Sequence, residues 1–161
     1  MTSPRWLDER EARAWRGYNR MRVELTARLN RELMASGLSG ADYEVLVNLS
    51  EVPGERLRVL ELGAAMRWEK SRLSHHLTRM AARGLVEREE CPTDARGSFV
   101  VLTEAGRQAI ESAAPAHVES VRRYVVDALT VGQLDALAEI SDTVLGRLPA
   151  QDNEDQDGPQ P

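Results

Sequence analysis

The sequence predicts a mainly α-helical protein that carries one small β-hairpin. Over most of the chain, apolar residues recur at three- and four-residue steps, which is the spacing of a helix. Strand-like runs are limited to residues 85–89 and 98–103, which flank a turn containing Pro92 and Gly97. With 161 residues, of which 42% are hydrophobic, the chain is long enough for one globular domain with short appendages.

The first predicted helix runs from about Asp8 to Met34. One face is charged, and the other carries an apolar stripe too long for a solitary surface helix, so we expect it to pack on another helix. The stripe consists of Trp15, Tyr18, Met21, Leu25, Leu29 and Leu33. Gly37 is expected to end this helix. Ser39 and Asp42 then have the spacing of a capping pair, which predicts a second, shorter helix that stops at the Pro-Gly pair in EVPGER.

The stretch from residue 57 to 83 predicts two helices joined by a tight connection. The buried side of the first is expected to be Leu57, Leu60, Leu62 and Met66, and that of the second Leu73, Leu77, Met80 and Ala81. The other face of the second helix is then polar and basic, with Ser71, Arg72, Ser74, His75, Thr78 and Arg79. Gly84 is placed to cap this helix in a left-handed conformation.

Two further helices are predicted after the hairpin. Thr103 opens the first, and Pro115 in its interior is expected to kink it. Thr130 and Gln133 have the spacing of a capping box, which predicts the start of the last helix. The apolar stripe of that helix is Leu134, Leu137, Ile140, Val144 and Leu148.

Charge is distributed unevenly along the chain. The 26 acidic and 21 basic residues give a net charge of −5. Residues 149–161 contain four acids and no base, so the rest of the chain carries −1; this segment has little to bury and is expected to be disordered. Between Arg67 and Arg83, five basic residues oppose only Glu69. Because binding responds to the local field, a pI near 5.3 does not exclude a nucleic-acid partner.

Composition argues against several classes of function. No stretch approaches the ~18 apolar residues of a membrane span, and the opening MTSPRWLDERE lacks a secretory signal pattern, so we expect a cytoplasmic protein with no membrane partner. Cys91 is the single cysteine, which rules out an internal disulfide and a cysteine-based zinc site. As a nucleophile it has no identifiable orienting partner, so no enzymatic activity and no cofactor are predicted.

The order of helix, tight turn, basic helix and hairpin is that of a winged helix-turn-helix. In this layout the second helix lies in the major groove of DNA, and the hairpin reaches the backbone or the neighbouring minor groove. Groove floors expose hydrogen-bonding base edges, and phosphates line the rims. A helix that faces both therefore needs small polar groups centrally and Arg or Lys at its edges. Residues 70–79 fit that description.

At these residues the chain resembles the MarR family of bacterial transcription regulators. The matching stretches are ADYEVLVNLSEVPGERLRVLELGAAMRWEKSRLSHHLTRMAARGLVERE, the wing TDARG and the helix opening LTEAGR. The resemblance spans about residues 7–148. It implies a homodimer on a palindromic double-stranded DNA operator, often a repressor released by a small ligand. Residues 1–36 and 104–148 would then form the dimerisation helices, 37–103 the DNA-binding lobe and 149–161 an acidic tail.

The resemblance also implies which residues contact DNA. Asp94 and Arg96 correspond to the wing pair, with Arg96 expected in the minor groove, where a cation gains from the negative potential, and Asp94 orienting a nearby Arg. The candidates on the basic helix are Lys70, Ser71, Arg72, Ser74, His75, His76 and Arg79. We expect Lys70, Arg72 and Arg79 to contact phosphates. Ser74 and His75 lie nearer the centre of the exposed face.

Three aromatic residues leave two interpretations open. Trp15, Tyr18 and Trp68 belong to a set of only seven aromatic residues, and such side chains most often fill a core. In the family, aromatic or phenolic effectors often sit between the dimerisation helices and the DNA-binding lobe. The resemblance therefore implies that Trp15, Tyr18, Trp68 and Arg22 could line a ligand crevice, with Arg22 as the partner of an anionic group.

Two alternative functions remain. A metal- or thiol-responsive regulator of the same fold would use a histidine with His117 or a carboxylate, or Cys91. However, His75 and His76 are adjacent and point about 100° apart on a helix, and the acidic neighbours of Cys91 would raise its pKa, so we predict no metal site. A winged-helix protein-interaction module would keep the fold without binding DNA, but it has no need for a basic helix followed by Asp94 and Arg96.

Overall fold

The computed structural model describes residues 4–90 and 97–149, and it confirms a mainly helical fold with a small antiparallel sheet. The helices are α1 (Glu9–Met34), α2 (Gly40–Ser50), α3 (Val59–Met66), α4 (Lys70–Ala82), α5 (Glu104–Val121) and α6 (Val131–Leu145). The strands are β1 (Arg56–Arg58), β2 (Val86–Glu90) and β3 (Ser98–Leu102). The chain divides into two compact units, Met1–Val121 and Arg122–Pro161. The acidic tail predicted to be disordered lies outside the described residues, except for Pro149.

Reciprocal side-chain caps fix where the helices begin. The capping boxes predicted at Ser39–Asp42 and Thr130–Gln133 are both present, and α1 has a third in which Asp8 accepts from the Glu11 amide at 2.8 Å. Each box satisfies backbone N–H groups that the helix itself cannot pair, which is typically worth about 1 kcal/mol. The starts predicted for α2 and α6 from these boxes are therefore confirmed.

The sheet contains one strand more than the predicted hairpin. Strand order is β1-β3-β2, and β1 pairs antiparallel with β3 so that Leu57 lies opposite Val100. The assignment of Leu57 to the α3 helix is therefore wrong, and Leu60, expected in the core, is 69% exposed. Residues 56–58 obtain their hydrogen bonds from β3, a distant partner that local periodicity does not reveal. The other two predicted core residues of α3, Leu62 and Met66, are buried.

The core of the Met1–Val121 unit lies between the helices of the helix-turn-helix and the sheet. Side chains from α2, α3, α4, β2, β3 and α5 contribute to it. The predicted inward residues of α4 are buried, apart from Ala81, which is half-buried. The largest fully buried side chains are Leu38, Val45, Leu46, Leu49, Leu62, Leu73, Leu77, Met80, Val86 and Val100.

The start of α5 packs closely on the chain after α4. Gly84 has φ +74°, the left-handed conformation expected of it. The Thr103 hydroxyl donates to the Gly84 carbonyl at 2.6 Å and accepts from the Gly106 amide at 3.0 Å. Farther along, α5 continues through Pro115 to Val121, and the regular pattern changes only in the wide π-helical turn Arg122–Val126.

Apolar side chains remain exposed on α1 and on α6. The carboxyl-terminal part of α1 packs as expected, because Leu33 is buried and the Ser120 hydroxyl of α5 donates to Glu32. Toward the start of α1, Trp15, Tyr18 and Met21 are at least half exposed. No residue of α6 is buried, and its exposed apolar residues are Val131, Leu137, Ile140, Val144 and Leu145.

Candidate nucleic-acid interface

The outer face of α4 presents the polar and basic residues that the sequence placed there. The outer face of α4 consists of Lys70, Ser71, Arg72, Ser74, His75, Thr78 and Arg79. All of these residues are exposed except Ser74, which is half-buried. Leu73, Leu77 and Met80 anchor the opposite side in the core. Their burial fixes the rotation of the helix, so the cationic groups point to solvent. The arrangement offers N–H donors and positive charge suited to phosphate oxygens.

A tight connection sets α4 against α3. Arg67 ends α3 with φ +52°, a left-handed conformation that turns the chain within three residues. The Trp68 amide donates to the Gly63 carbonyl at 3.0 Å, and a Cβ on Gly63 would lie 3.4 Å from Leu73 Cδ2. The small residue at position 63 therefore allows α4 to approach closely. This is the geometry expected of a helix-turn-helix.

Trp68, in this connection, contacts two residues of α4. Its ring lies under the Arg72 guanidinium, whose central carbon is 3.9 Å from the ring centroid. The edge of the same ring meets His76, with centroids 5.3 Å apart and planes at 75°. A guanidinium stacked on an aromatic face is both attracted and restricted in its rotamers. Arg72 is therefore held at the edge of the outer face.

His76 lies in the interior, although the sequence suggested it as a DNA contact. Only 6% of the residue is exposed, so it does not belong to the outer face. The Arg79 guanidinium donates to Nδ1 at 3.0 Å, and Nε2 lies 3.1 Å from Asp42 Oδ1. Because Nδ1 accepts, the neutral ring carries its proton on Nε2, facing the carboxylate. The spacing held a sign of this burial, because His76 falls three residues after Leu73 and four before Met80, on the apolar side of the helix. Its partner Asp42, 34 positions away, could not be predicted.

Asp42 connects α2 to the end of α4. Its Oδ2 accepts from Arg83 at 2.8 Å and from the Ser39 amide at 2.9 Å, and the carboxylate is 5% exposed. Arg83 also donates to the Gly37 carbonyl at 2.6 Å. Burial alone would raise the pKa of Asp42, but hydrogen bonds from Arg83 and Ser39 outweigh it and hold the pKa below 3.8. The carboxylate is therefore ionised at neutral pH.

The Asp42→Ala variant is expected to lower the free energy of unfolding by about 2 kcal/mol. It removes half of the capping box, leaves the half-buried Ser39 amide and Arg83 without their acceptor, and takes away the carboxylate that faces His76 Nε2. Chemical denaturation monitored by circular dichroism measures the loss. Asp127→Ala is the matched control, because its pair with Arg122 is about half exposed and exposed pairs contribute roughly 0–1 kcal/mol. Equal losses in the two variants would contradict the role of Asp42.

The outer side of the sheet carries a second cationic group, which the sequence analysis missed. The Arg56 guanidinium lies 4.1 Å from the Phe99 ring centroid, and its Nη2 is 3.3 Å from Glu89. Arg58 lies over the same ring at 5.3 Å. The sequence RLR alternates charged and apolar residues, and a strand places the two arginines of such a run on the same face. That alternation was the sign of this cationic group. The predicted wing residues Asp94 and Arg96 lie outside the described residues, as does Cys91.

The predicted ligand crevice is not assembled as a group. Trp15 and Tyr18 stack on each other with centroids 5.8 Å apart, and both are at least half exposed, so neither fills a core within the chain. Arg22 is exposed on the same helix. Trp68 instead contacts Arg72 and His76, and it is half-buried. Trp68 therefore packs against α4 and does not lie with Trp15 and Tyr18 of α1.

A groove between α2 and α5 is a better-formed candidate for a small ligand. Its lining is Tyr43, Ser50, Arg107, Ile110, Glu111 and Ala114. Arg107 is paired with Glu55, and Tyr43 contacts the His117 ring with centroids 4.5 Å apart. Burial lowers the pKa of His117 and raises that of Tyr43, so both are neutral at pH 7. No pattern in the sequence indicates this groove, since the packing of α5 against α2 creates it.

Two further properties concern only the described part of the chain. Within residues 4–90 and 97–149, no three His, Cys, Asp or Glu side chains are grouped so that they could hold a metal ion. In the same residues, no helix is both long enough and apolar enough to span a membrane.

Comparisons with known proteins agree with the helix-turn-helix geometry. The MarR family model matches residues 36–97, which include α2, the α3–α4 pair and β2. Among curated proteins, the transcriptional regulator HosA of Escherichia coli O111:H- is 36% identical over 91 residues, covering 56% of this chain. That alignment spans 64% of HosA, slightly less than two thirds of its length.

Two solved structures from Streptomyces coelicolor match over nearly their whole length. AbsC, described as a MarR family transcriptional regulator, is 44% identical with a TM-score of 0.81, and the match covers 89% of this chain and all of AbsC. Sco3205, a MarR family transcriptional regulator solved in complex with DNA, is 40% identical with a TM-score of 0.88, covering 94% of this chain and 97% of Sco3205. The similarity therefore extends well beyond the helix-turn-helix.

Proposed function

The chain belongs to the MarR family of transcriptional regulators, and we propose that it acts as a homodimer that binds a palindromic DNA operator and represses transcription. The observation that carries this proposal is the exposed cationic outer face of α4, supported from behind by the tight α3–α4 connection. A dimer that occupies its operator denies that DNA to other proteins, which is the simplest route to repression.

The outer face of α4 suits the major groove in size and in chemistry. The major groove is about 12 Å wide and admits one α-helix. Ser74 and His75 near the middle of α4 can hydrogen-bond to base edges, while Lys70, Arg72 and Arg79 flank them as phosphate partners. By resemblance to the family, Arg96 in the wing is proposed to add a minor-groove contact, with Asp94 orienting a nearby Arg.

The proposed homodimer uses the apolar residues that stay exposed on α1 and α6. Exposed apolar patches of this kind on a globular chain commonly mark an interaction surface. Trp15, Tyr18 and Met21 on α1, and Ile140 and Val144 on α6, would be covered by a second copy. Two copies related by a twofold axis present two α4 helices to DNA, and half-sites one helical turn apart need a separation of about 34–36 Å.

A small ligand is proposed to modulate operator binding through the α2–α5 groove. The groove touches both α2, which supports α4 through Asp42, and α5, which follows the wing strand. A ligand that binds one dimer geometry better than another shifts the population by its difference in affinity. The Tyr43 ring and the apolar side chains of Ile110 and Ala114 favour an aromatic molecule, while Arg107 is already paired with Glu55. Trp15, Tyr18 and Arg22 remain candidate ligand contacts only in the assembled dimer.

The Arg72→Ala and Arg79→Ala variants are each expected to weaken operator binding about tenfold. Each removes a phosphate contact, so the slope of log K against log salt should flatten by about one unit. The operator is first selected from random duplexes with the purified protein, and affinity is then measured by fluorescence anisotropy over a salt series.

Arg20→Ala is the matched control for these two variants, because Arg20 is an exposed arginine on the polar side of α1. It should leave both affinity and salt slope unchanged. Unchanged slopes for Arg72→Ala and Arg79→Ala would show that the outer face of α4 does not contact phosphates. Failure of the unmodified protein to select any duplex would overturn the proposed function.

A further inference from the structure

We infer that His76 is a positioning residue that holds Arg79 and Arg72 in the conformation in which they contact DNA. The inference rests on the proposed function, since it assigns the two arginines to phosphates. His76 itself is 6% exposed and does not reach the surface of α4. It acts through two neighbours, one by a hydrogen bond and one by ring contact.

The first connection runs from Asp42 through His76 to Arg79. Arg79 donates through one guanidinium nitrogen to Nδ1 at 3.0 Å, and Nε2 faces Asp42 at 3.1 Å. Because the imidazole is buried, water does not compete for it. With Nδ1 accepting from Arg79, the ring proton sits on Nε2, which lies 3.1 Å from Asp42 Oδ1 but is not aligned for a hydrogen bond. A guanidinium has several other N–H donors, so Arg79, which is exposed, keeps donors for a phosphate.

The second connection runs through Trp68 to Arg72. The ring edge of Trp68 meets His76 at a centroid distance of 5.3 Å, and its face carries the Arg72 guanidinium at 3.9 Å. Removing the imidazole would leave Trp68 without its neighbour on one side and free to rotate. Arginine side chains lose considerable rotamer freedom on binding, so holding both in advance favours association.

The protonation state of His76 links this arrangement to pH. The charged groups that face it are Asp42 from α2 and Arg79 and Arg72 from its own helix, and Asp42 is itself paired with Arg83. Burial lowers the pKa of His76 below 6.5, with Asp42 opposing and Arg79 and Arg72 adding to the effect. Below that pKa the ring gains a proton on Nδ1, which then faces the Arg79 donors and cannot accept from them.

The test uses two variants, each of which places a side-chain amide at the position of one of the two ring nitrogens. His76→Asn places an amide oxygen near Nδ1, where it can accept from Arg79, whereas His76→Gln places its amide near Nε2 and leaves Arg79 without an acceptor. Operator affinity is measured at pH 7.5 by anisotropy, with circular dichroism to confirm folding. We expect about threefold weaker binding for His76→Asn, which keeps an acceptor for Arg79 but loses the ring contact with Trp68, and about tenfold weaker binding for His76→Gln, which loses both.

Double variants separate positioning from a general structural effect. Neighbours that act through one interaction are not additive, whereas independent sites are. In an Arg79→Ala background His76→Gln should therefore cost only the roughly threefold that acts through Trp68 and Arg72, while in a Lys70→Ala background it should again cost about tenfold. An equal cost in both backgrounds would overturn the inference. If the unmodified protein binds no duplex, it is the proposed function that fails.

A pH series tests the same point on the unmodified fold and does not depend on His76→Gln folding. The operator Kd of the unmodified protein, divided by that of His76→Asn, should be constant while His76 stays neutral and should rise once the pH falls through the pKa of His76, which burial places below 6.5. His75 is present in both proteins, so its titration cancels. The fold also loses stability as pH falls below 6.5, because the unfolded chain then binds more protons at His76, so the series is run well below Tm. A ratio that stays flat across the pH range in which NMR shows the His76 ring gaining its second proton would overturn the inference.

Discussion

The Gly106→Ala substitution is expected to lower the free energy of unfolding by about 3 kcal/mol. Gly106 lies in the first turn of α5 and is buried. A Cβ there would overlap the Leu85 carbonyl oxygen, lie 3.1 Å from the carbonyl carbon and lie 2.9 Å from Leu102 Cδ1. Since the obstacle is backbone, no rotamer change relieves it. The helix start must move away from the chain after α4, and overpacking of this kind costs about 1–3 kcal/mol or more.

The matched control is Gly132→Ala, at the start of α6. A Cβ on Gly132 would meet no atom within 4 Å, and alanine is the better helix former by about 1 kcal/mol. Denaturant titrations should therefore show a lower free energy of unfolding for Gly106→Ala and an unchanged or slightly higher one for Gly132→Ala. A loss below 1 kcal/mol for Gly106→Ala would mean that the start of α5 can shift away from Leu85 at little cost, which would contradict the importance of this close contact.

Local chemistry in the sequence was enough to predict much of this fold. Helix starts depend on residues three apart, so the boxes at Ser39–Asp42 and Thr130–Gln133 could be read directly. The outer face of α4 followed from the spacing of Leu73, Leu77 and Met80, because the position of the apolar residues dictates the opposite side. The arrangement of helix, turn, basic helix and strands then carried the family resemblance.

Features that depend on distant partners could not be predicted in this way. Strand β1 forms because its backbone pairs antiparallel with β3, and β3 begins 40 residues after β1 ends. His75 and His76 are adjacent, but His76 shares the side of α4 that carries Leu73 and Met80 and packs there beside Asp42 of α2, whereas His75 is exposed. A histidine on a basic helix therefore says little about DNA contact until the elements packed against the helix are known.

The Ile140→Glu substitution is expected to convert the proposed homodimer to monomers and to weaken operator binding about a hundredfold. Ile140 is 60% exposed, so its replacement removes little packing within the chain. In the dimer, twofold symmetry would bury the new carboxylate twice in an apolar interface, where an unpaired charge is costly. A monomer engages only one half-site and loses the gain in effective concentration that links the two.

Sedimentation velocity measures the oligomeric state, and anisotropy with the selected operator measures affinity. Thr143→Glu is the control, because Thr143 is exposed on the polar side of α6 and the change adds the same negative charge. It should stay dimeric and bind normally, so repulsion between the added charge and DNA cannot account for a loss seen only with Ile140→Glu. If Ile140→Glu stays dimeric, the second copy covers some other surface than the α6 stripe. If it becomes monomeric yet binds undiminished, the two half-sites are not joined through the dimer, and one α4 helix is sufficient for recognition.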